Sequence, residues 1–301
     1  MIKIGLVGLG KWGKNHQRVL QQLHDEGKLE LVFAKDLDYD PDVDLKLVDA
    51  IDFVTPTDLH FEQAAWALNN NKHVFVEKPL TLNYDTALHL VGIADKKERV
   101  LAVGHQFRFS WALHQVKLAL ARPLRKQVYL WMKYHHGDKP PRTDMGAIFN
   151  FGSHLFDMLL YLYNGQLPNS VYATALYQLG NPNREDAALI TARCGKDVAV
   201  LELGWTHPRR TREITMISDK RCLKANLATD YVHEFEMDSD LHDEHYPAKE
   251  QKELLYQELA HFVECCETGE EPINSGSAGA WAVLLCERAL ESAAEHKEIR
   301  L

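Results

Sequence analysis

Within FNFGSHLFD (149–157), Asn150, His154 and Asp157 fall at i, i+4 and i+7, which puts all three on one face of a helix. The residues that follow, MLLYLY, are apolar enough to be buried. An amide, an imidazole and a carboxylate aligned on a core helix have two readings. Either they satisfy one another in the interior, or they face a cleft and do acid–base chemistry. Of the three, the imidazole suits proton transfer best, because its unperturbed pKa lies near neutrality.

A second candidate is the lysine of HVFVEKPL, where Glu77, Lys78 and Pro79 end an apolar run. A lysine at the carboxyl end of a parallel strand projects into the crevice where such sheets bind ligands. Pro79 favours an extended Lys78. A surface lysine paired with Glu77 would give the same letters.

The third signal is GLVGLGKWGKNH, which carries Gly8, Gly10 and Gly13 as G-x-G-x-x-G. The first glycine makes the tight turn, the second lets pyrophosphate approach the backbone, and the third lets helix and strand pack closely. The helix that follows offers its N–H groups to phosphate. The next apolar run ends in FAKDLD, placing Asp36 where a carboxylate accepts hydrogen bonds from the adenosine ribose hydroxyls. That favours NAD over NADP, since a 2′-phosphate would be repelled, although Lys35 softens the repulsion. Asp36 and Asp38 as ordinary turn acids is the plain alternative.

These residues need elements to hold them. Through residue 120, short Val-, Ile- and Leu-rich runs (IKIGLVG, LELVFAKD, AIDFVTP, KHVFVEK, RVLAVGH) alternate with helical segments such as WGKNHQRVLQQLHDEG and LHFEQAAWALNNN. Continuously apolar strands joined by helices imply a parallel sheet covered on both faces. The acidic link between Asp36 and Ala50 is too short for a full crossover helix. Beyond about residue 122, apolar segments follow one another at KQVYLWMKYHH, SVYATALYQL, AALITARC, DVAVLELGW, REITMIS and RCLKANL, separated by turn signals. This predicts a largely antiparallel sheet, then helices near 249–268 and 276–296.

The sequence predicts two domains, 1–121 and 122–301, with the C-terminal helix and tail packing back on the first. A net charge of −9 gives no reason to expect nucleic acid or an acidic membrane as partner. No apolar run reaches the roughly 20 residues of a membrane span, and the N-terminus reads as a strand rather than a signal peptide. Five cysteines without metal-ligand spacing read as reduced thiols of a cytoplasmic protein, and no metal site is expected.

GLGKWG, TPTDLH, VEKPL, GHQFRF and FNFGSHLFD, in this order and spacing, resemble the glucose–fructose oxidoreductase / inositol dehydrogenase family, also called Gfo/Idh/MocA. The resemblance covers nearly the whole chain. It implies an α/β protein: an N-terminal Rossmann domain, doubly wound around a parallel sheet, and a C-terminal α+β domain with a large, mostly antiparallel open sheet. It also implies a nicotinamide cofactor, a sugar or polyol substrate, and a homodimer or homotetramer.

Carried over by matching motif, Lys78 and His154 are catalytic. His154 would be the general base, and Lys78 would stabilise negative charge on the substrate oxygen. Asn150 joins them where the family commonly has an aspartate. Gly8, Gly10, Lys11, Trp12, Gly13, Asp36, Thr55, Pro56, His60 and Glu77, with Lys78, would line the cofactor. His105 and Arg108 would line the cleft, and Lys78, Arg108, Asn150, His154, Asp157 and Arg209 would meet substrate.

GWTHPRRTREITMIS further resembles the W-x-x-P-x-x-x-R stretch of members that oxidise the 3-hydroxyl of nucleotide-linked N-acetylated sugar uronates. There Arg209, Arg210 and Arg212 would meet a diphosphate or carboxylate. The expectation is an NAD-dependent dehydrogenase acting on a sugar, with a nucleotide-linked sugar as the narrower candidate. The alternatives are a free-polyol dehydrogenase and a non-catalytic dinucleotide-binding sensor.

Overall fold

The run KIGLV has apolar side chains on both faces of a strand, and it forms β1 (Lys3–Val7), buried from Ile4 onward. The computed structural model describes residues 1–122, 127–137, 143–236, 243–247 and 252–301. After β1 come α1 (Gly13–Asp25), β2 (Glu30–Lys35), α2 (Pro41–Asp44), β3 (Ala50–Phe53), α3 (Thr57–Asn69), β4 (His73–Val76), α4 (Tyr84–Lys97) and β5 (Leu101–Val103). All neighbouring strands are parallel, in the order β2-β1-β3-β4-β5. This is the expected doubly wound sheet, with its switch point between β1 and β3, where ligands of such sheets bind. The short acidic link does lack a full crossover helix: α2 has four residues, with Asp40 accepting from the Asp42 N–H at its start.

The second sheet has nine strands. α5 (Trp111–Ala121) precedes β6 (Tyr129–His135), and a π-helical turn (Ile148–Gly152) runs into α6 (Ser153–Leu162). There follow β7 (Ser170–Leu176), β8 (Ala187–Cys194), β9 (Asp197–Gly204), β10 (Thr211–Ile217), β11 (Arg221–Asn226), β12 (Tyr231–Glu236) and β13 (Asp243–Pro247). After α7 (Leu254–Thr268) and α8 (Gly276–Glu295), the chain closes with β14 (Ile299–Arg300).

The order is β13-β12-β11-β10-β6-β9-β8-β7-β14, antiparallel except for the β6–β9 pair. Residues alternate along β8 and β9, with Ile190 and Leu201 inward and Leu189 and Val200 on the opposite face. The six expected strands are present. β12, β13 and β14 are additional. Lys126 and residues 249–251 of the expected segments lie outside the described residues.

Two compact units result: residues 1–106 with 252–283, and 107–251 with 284–301. The sequence pattern changes near 122, yet the units divide before α5. The reason is local: Asp230 accepts hydrogen bonds from Ser110 Oγ (2.6 Å) and the Ala112 N–H (2.9 Å), fixing the start of α5 to the end of the β11–β12 turn. The first unit draws instead on α7. Leu255, Leu259 and Phe262 of α7 join Val19, Leu20 and Leu23 of α1 and Phe75 of β4 in one apolar core.

Candidate active site

Gly8 adopts φ +101°, and a Cβ there would meet the Val54 carbonyl oxygen at 2.4 Å. At Gly13 a Cβ would lie 1.9 Å from the Gly8 carbonyl oxygen. Gly10 differs, because nothing lies within 4 Å of its missing Cβ. The outer glycines are thus required by the packing of the protein itself. The middle one leaves open space above the backbone, which fits the approach of a pyrophosphate. α1 begins at Gly13 with no side-chain cap, so the positive end of its dipole is available to an anion. Lys11 and Trp12 are exposed in this loop.

The Gly8 N–H donates to the Lys35 carbonyl at 2.8 Å, tying the loop to the end of β2, and the next residue, Asp36, is exposed. Lys35 does not neutralise it: its Nζ is held by both oxygens of Asp44, at 2.9 and 3.0 Å.

Past β4, Lys78 is half-buried, its peptide bond to Pro79 is cis, and its N–H donates to Glu77 Oε2 at 3.0 Å. His60 has no exposed surface; its Nδ1 lies 2.9 Å from the Pro79 carbonyl oxygen and its Nε2 lies 3.0 Å from that of Thr55. It therefore fastens the Thr55–Pro56 turn to the lysine segment. Thr55 Oγ1 donates to Gln63 at 2.6 Å, and Pro56 precedes α3. Glu77 is buried and accepts from Trp12 Nε1 at 2.6 Å, so its carboxylate faces the protein.

Sequence reasoning missed the groups behind it. His16, Asp52 and Glu258 have no exposed surface, and no motif marks them. Glu258 Oε1 accepts from Asn274 Nδ2 at 3.1 Å, while its Oε2 has no partner among the described residues. Burial, reinforced by the nearby Glu77 charge, lifts the Glu258 carboxyl well above the ordinary range. A carboxyl raised by folding favours the fold most below its unfolded value of about 4.3 and loses that contribution as pH climbs through the folded value. Glu258→Gln keeps an acceptor for Asn274 and removes the ionisation. The variant is expected to melt at a higher temperature than wild type near neutral pH, with the gain shrinking toward pH 4; thermal melts across that range check it.

In the second unit, Asn150 lies in the π turn and His154 and Asp157 in α6, and all three are buried. The i, i+4 spacing from Asn150 to His154 thus runs through a widened turn, not a continuous α-helix. Glu185 anchors that turn by accepting from the Ile148 N–H at 2.7 Å, and the Cys286 thiol donates to the Ile148 carbonyl at 3.4 Å. Burial pushes the Glu185 carboxyl up.

The His154 ring stacks on Tyr134 (5.3 Å, 9°) and meets Phe107 edge-on (5.2 Å, 80°). The Arg212 guanidinium covers the same two rings, 5.1 Å from Tyr134 and 5.7 Å from Phe107. Among the described residues no carboxylate pairs with Arg212. Asp157 pairs with Arg108, whose Nε and Nη2 both lie 2.8 Å from its Oδ1.

Arg209 and Arg210 lie exposed in the turn before β10, so Arg212, not Arg209, is the arginine brought to the histidine. Trp205 is buried and donates to Asp186 at 2.9 Å, and Phe151 bridges it to Tyr134. Both aromatics support the histidine's surroundings. His105 is buried in the first unit.

A switch-point glycine loop with an acid after the second strand, joined in one chain to a large open sheet and a helix, α6, that carries a buried histidine, defines a two-domain dinucleotide-dependent class. Residues 2–105 match the oxidoreductase family with an NAD-binding Rossmann fold, and residues 113–223 match the GFO/IDH/MocA C-terminal domain. Together these matches span more than half of the chain, which therefore belongs to the Gfo/Idh/MocA oxidoreductase family.

The chain is 24% identical over 228 residues to the scyllo-inositol 2-dehydrogenase (NADP(+)) of Bacillus subtilis, covering 66% of this chain and 62% of that one. It is 31% identical over 186 residues to the UDP-N-acetylglucosamine 3-dehydrogenase of Acidithiobacillus ferrooxidans, covering 58% of each. Matched segments thus span about three fifths of these relatives. The solved structure of the latter enzyme superposes with a TM-score of 0.87 at 22% identity, over 98% of both chains, which establishes the fold. No helix among the described residues is long and apolar enough to cross a membrane.

Proposed function

We propose that this protein is an NAD-dependent oxidoreductase that interconverts a secondary hydroxyl and a ketone on a sugar, the substrate class being a nucleotide-linked sugar with an anionic group. The observation that carries the reading is His154 stacked on Tyr134, with the Arg212 guanidinium, paired with no carboxylate among the described residues, over the same ring. A proton-transfer group and a cation for substrate share one buried aromatic setting. The likeness to UDP-N-acetylglucosamine 3-dehydrogenase supports the substrate class.

The first unit holds the cofactor at Gly8, Gly10, Lys11, Trp12, Gly13 and Asp36, with Thr55, Pro56, His60 and Glu77 shaping the site. The acidic turn at Asp36, with Lys35 occupied by Asp44, favours NAD. Bound nicotinamide supplies the hydride acceptor, or the donor in reverse. His154 takes the hydroxyl proton in oxidation and returns it in reduction. Lys78 donates a hydrogen bond to oxygen as negative charge develops. Asn150, an amide that cannot ionise, holds a substrate hydroxyl. Arg212, with Arg209 nearby in sequence, meets the anionic group. Arg108 and Asp157 reach substrate only as a pair. A free polyol is the second reading, favoured by the scyllo-inositol dehydrogenase match.

Five cysteines outside any disulfide suit a cytoplasmic setting. A homodimer or homotetramer forms through the open face of the nine-stranded sheet, where Trp131, Tyr172 and Leu189 are 37%, 43% and 48% exposed. Leu189→Glu is then expected to shift the sedimenting species toward monomer with little change in the unit's own melting.

Mass spectrometry of whatever the denatured protein releases tests the whole reading, followed by turnover assays with NAD and sugar nucleotides. NAD with a sugar nucleotide supports it. NADP would overturn the reading of Asp36, and failure to bind added NAD would overturn the enzyme.

A further inference from the structure

Four elements of the first unit send charged or polar side chains to one buried point behind the glycine loop. His16 of α1 has a carboxylate at each ring nitrogen: Nδ1 lies 2.7 Å from Asp52 Oδ2 in β3, and Nε2 lies 3.2 Å from Glu77 Oε1 beyond β4. Glu258 of α7 lies close enough to act on them electrostatically. A neutral imidazole donates from one nitrogen only, so donation to both carboxylates requires the imidazolium. Burial disfavours that charge, but Asp52 and Glu77 outweigh burial and raise His16 to about 10. The same forces hold Glu77 ionised: burial raises it, and hydrogen bonding and charge from His16 more than reverse the rise.

Glu77 is the junction. Its Oε1 also accepts from Trp12 Nε1 at 2.6 Å, and its Oε2 accepts from the Lys78 N–H at 3.0 Å. One carboxylate therefore binds the glycine loop through Trp12 and the lysine segment through the Lys78 backbone. Gly104 closes it in: a Cβ there would lie 2.8 Å from Glu77 Oε1. The carboxylate thus has little room to turn, and its orientation depends on the donors around it.

We infer that His16 is a positioning residue: by fixing the Glu77 carboxylate it keeps Trp12 and the glycine loop in register with the backbone of Lys78. The role deepens the oxidoreductase reading and rests on it for its catalytic consequence, but the coupling of the two segments is a property of the first unit alone. It differs from a purely structural buried ion pair, whose loss would loosen the unit as a whole.

Hydrogen–deuterium exchange of the full-length protein without NAD, together with calorimetric titration of NAD, separates the two. His16→Gln is expected to speed exchange about tenfold or more in peptides covering 8–13 and 77–80, with α4 unchanged, and to weaken NAD binding about tenfold. Equal loosening of α4, or no change in either segment, overturns the inference. Trp12→Phe keeps an aromatic ring while deleting the indole N–H that donates to Glu77. It is expected to speed exchange at 8–13 alone, and the double variant to weaken NAD binding no more than His16→Gln does. Additive losses overturn the inference. Should His16→Gln not fold, Trp12→Phe decides, and unchanged exchange at 8–13 in that variant overturns it. Failure of the wild type to bind NAD would sink the oxidoreductase reading while the exchange pattern still judged His16.

Discussion

Replacing His154 with alanine lowers turnover by about 10²- to 10⁴-fold and leaves the NAD dissociation constant within about twofold of wild type. The size follows from the loss of a proton-transfer group whose natural pKa range matches neutral conditions. The selectivity follows from placement, since His154 belongs to the second unit and the glycine loop to the first. The alanine also leaves a void beside Tyr134 and Phe107, against which His154 packs at 5.3 and 5.2 Å. His154→Gln separates the two effects by keeping most of the volume. It should melt close to wild type and still show the kinetic loss, with kcat and kcat/KM falling together. Steady-state kinetics and NAD titration of both variants check this, and wild-type turnover in either would remove His154 from the chemistry.

The second large effect separates folding from binding within one loop. In Gly13→Ala, the new methyl would sit 1.9 Å from the Gly8 carbonyl oxygen, a backbone atom that can yield only by moving the turn. Overpacking of this kind costs about 1–3 kcal/mol or more, and the displaced turn takes NAD binding with it. In Gly10→Ala the methyl meets nothing within 4 Å, so the protein is expected to melt as wild type does. Yet that methyl occupies the approach to the loop backbone, so NAD affinity falls about tenfold or more. Melting curves alongside NAD titrations of the two variants check the contrast. Equal melting losses would show that the open space at Gly10 is not open in solution.

Local motifs were legible because each keeps its chemistry within a few residues. Gly8, Gly10 and Gly13 occupy one turn, Lys78 follows one strand, and His154 sits on one short helix. Strand alternation gave the six central strands of the large sheet. YVHEFE carries no strand signal in the sequence because His233 and Glu234 break its apolar pattern, although it pairs along β11 as β12. The π turn left no mark, since a widened turn has no distinct composition.

The arginine assignment needed three dimensions. Arg209 and Arg212 look alike in PRRTR, but only Arg212 enters β10, where pairing with β6 sets it opposite Tyr134. The groups behind the glycine loop were invisible for another reason. His16, Asp52 and Glu258 come from remote parts of the chain, and a lone buried charge in a sequence looks like any surface charge.

The place of α7 in the first core bears on how the protein is made. Residues 1–106 leave the ribosome before α7, and the apolar surface of Val19, Leu20 and Leu23 is covered by a helix encoded more than roughly 200 residues later. At translation rates of about 5–20 residues per second, that surface waits roughly 10–50 s for its partner. The cofactor-binding unit, begun first, is the one completed late. A nascent chain stalled before Leu254 would present to chaperones a sheet and helix whose shared core is still open on one side.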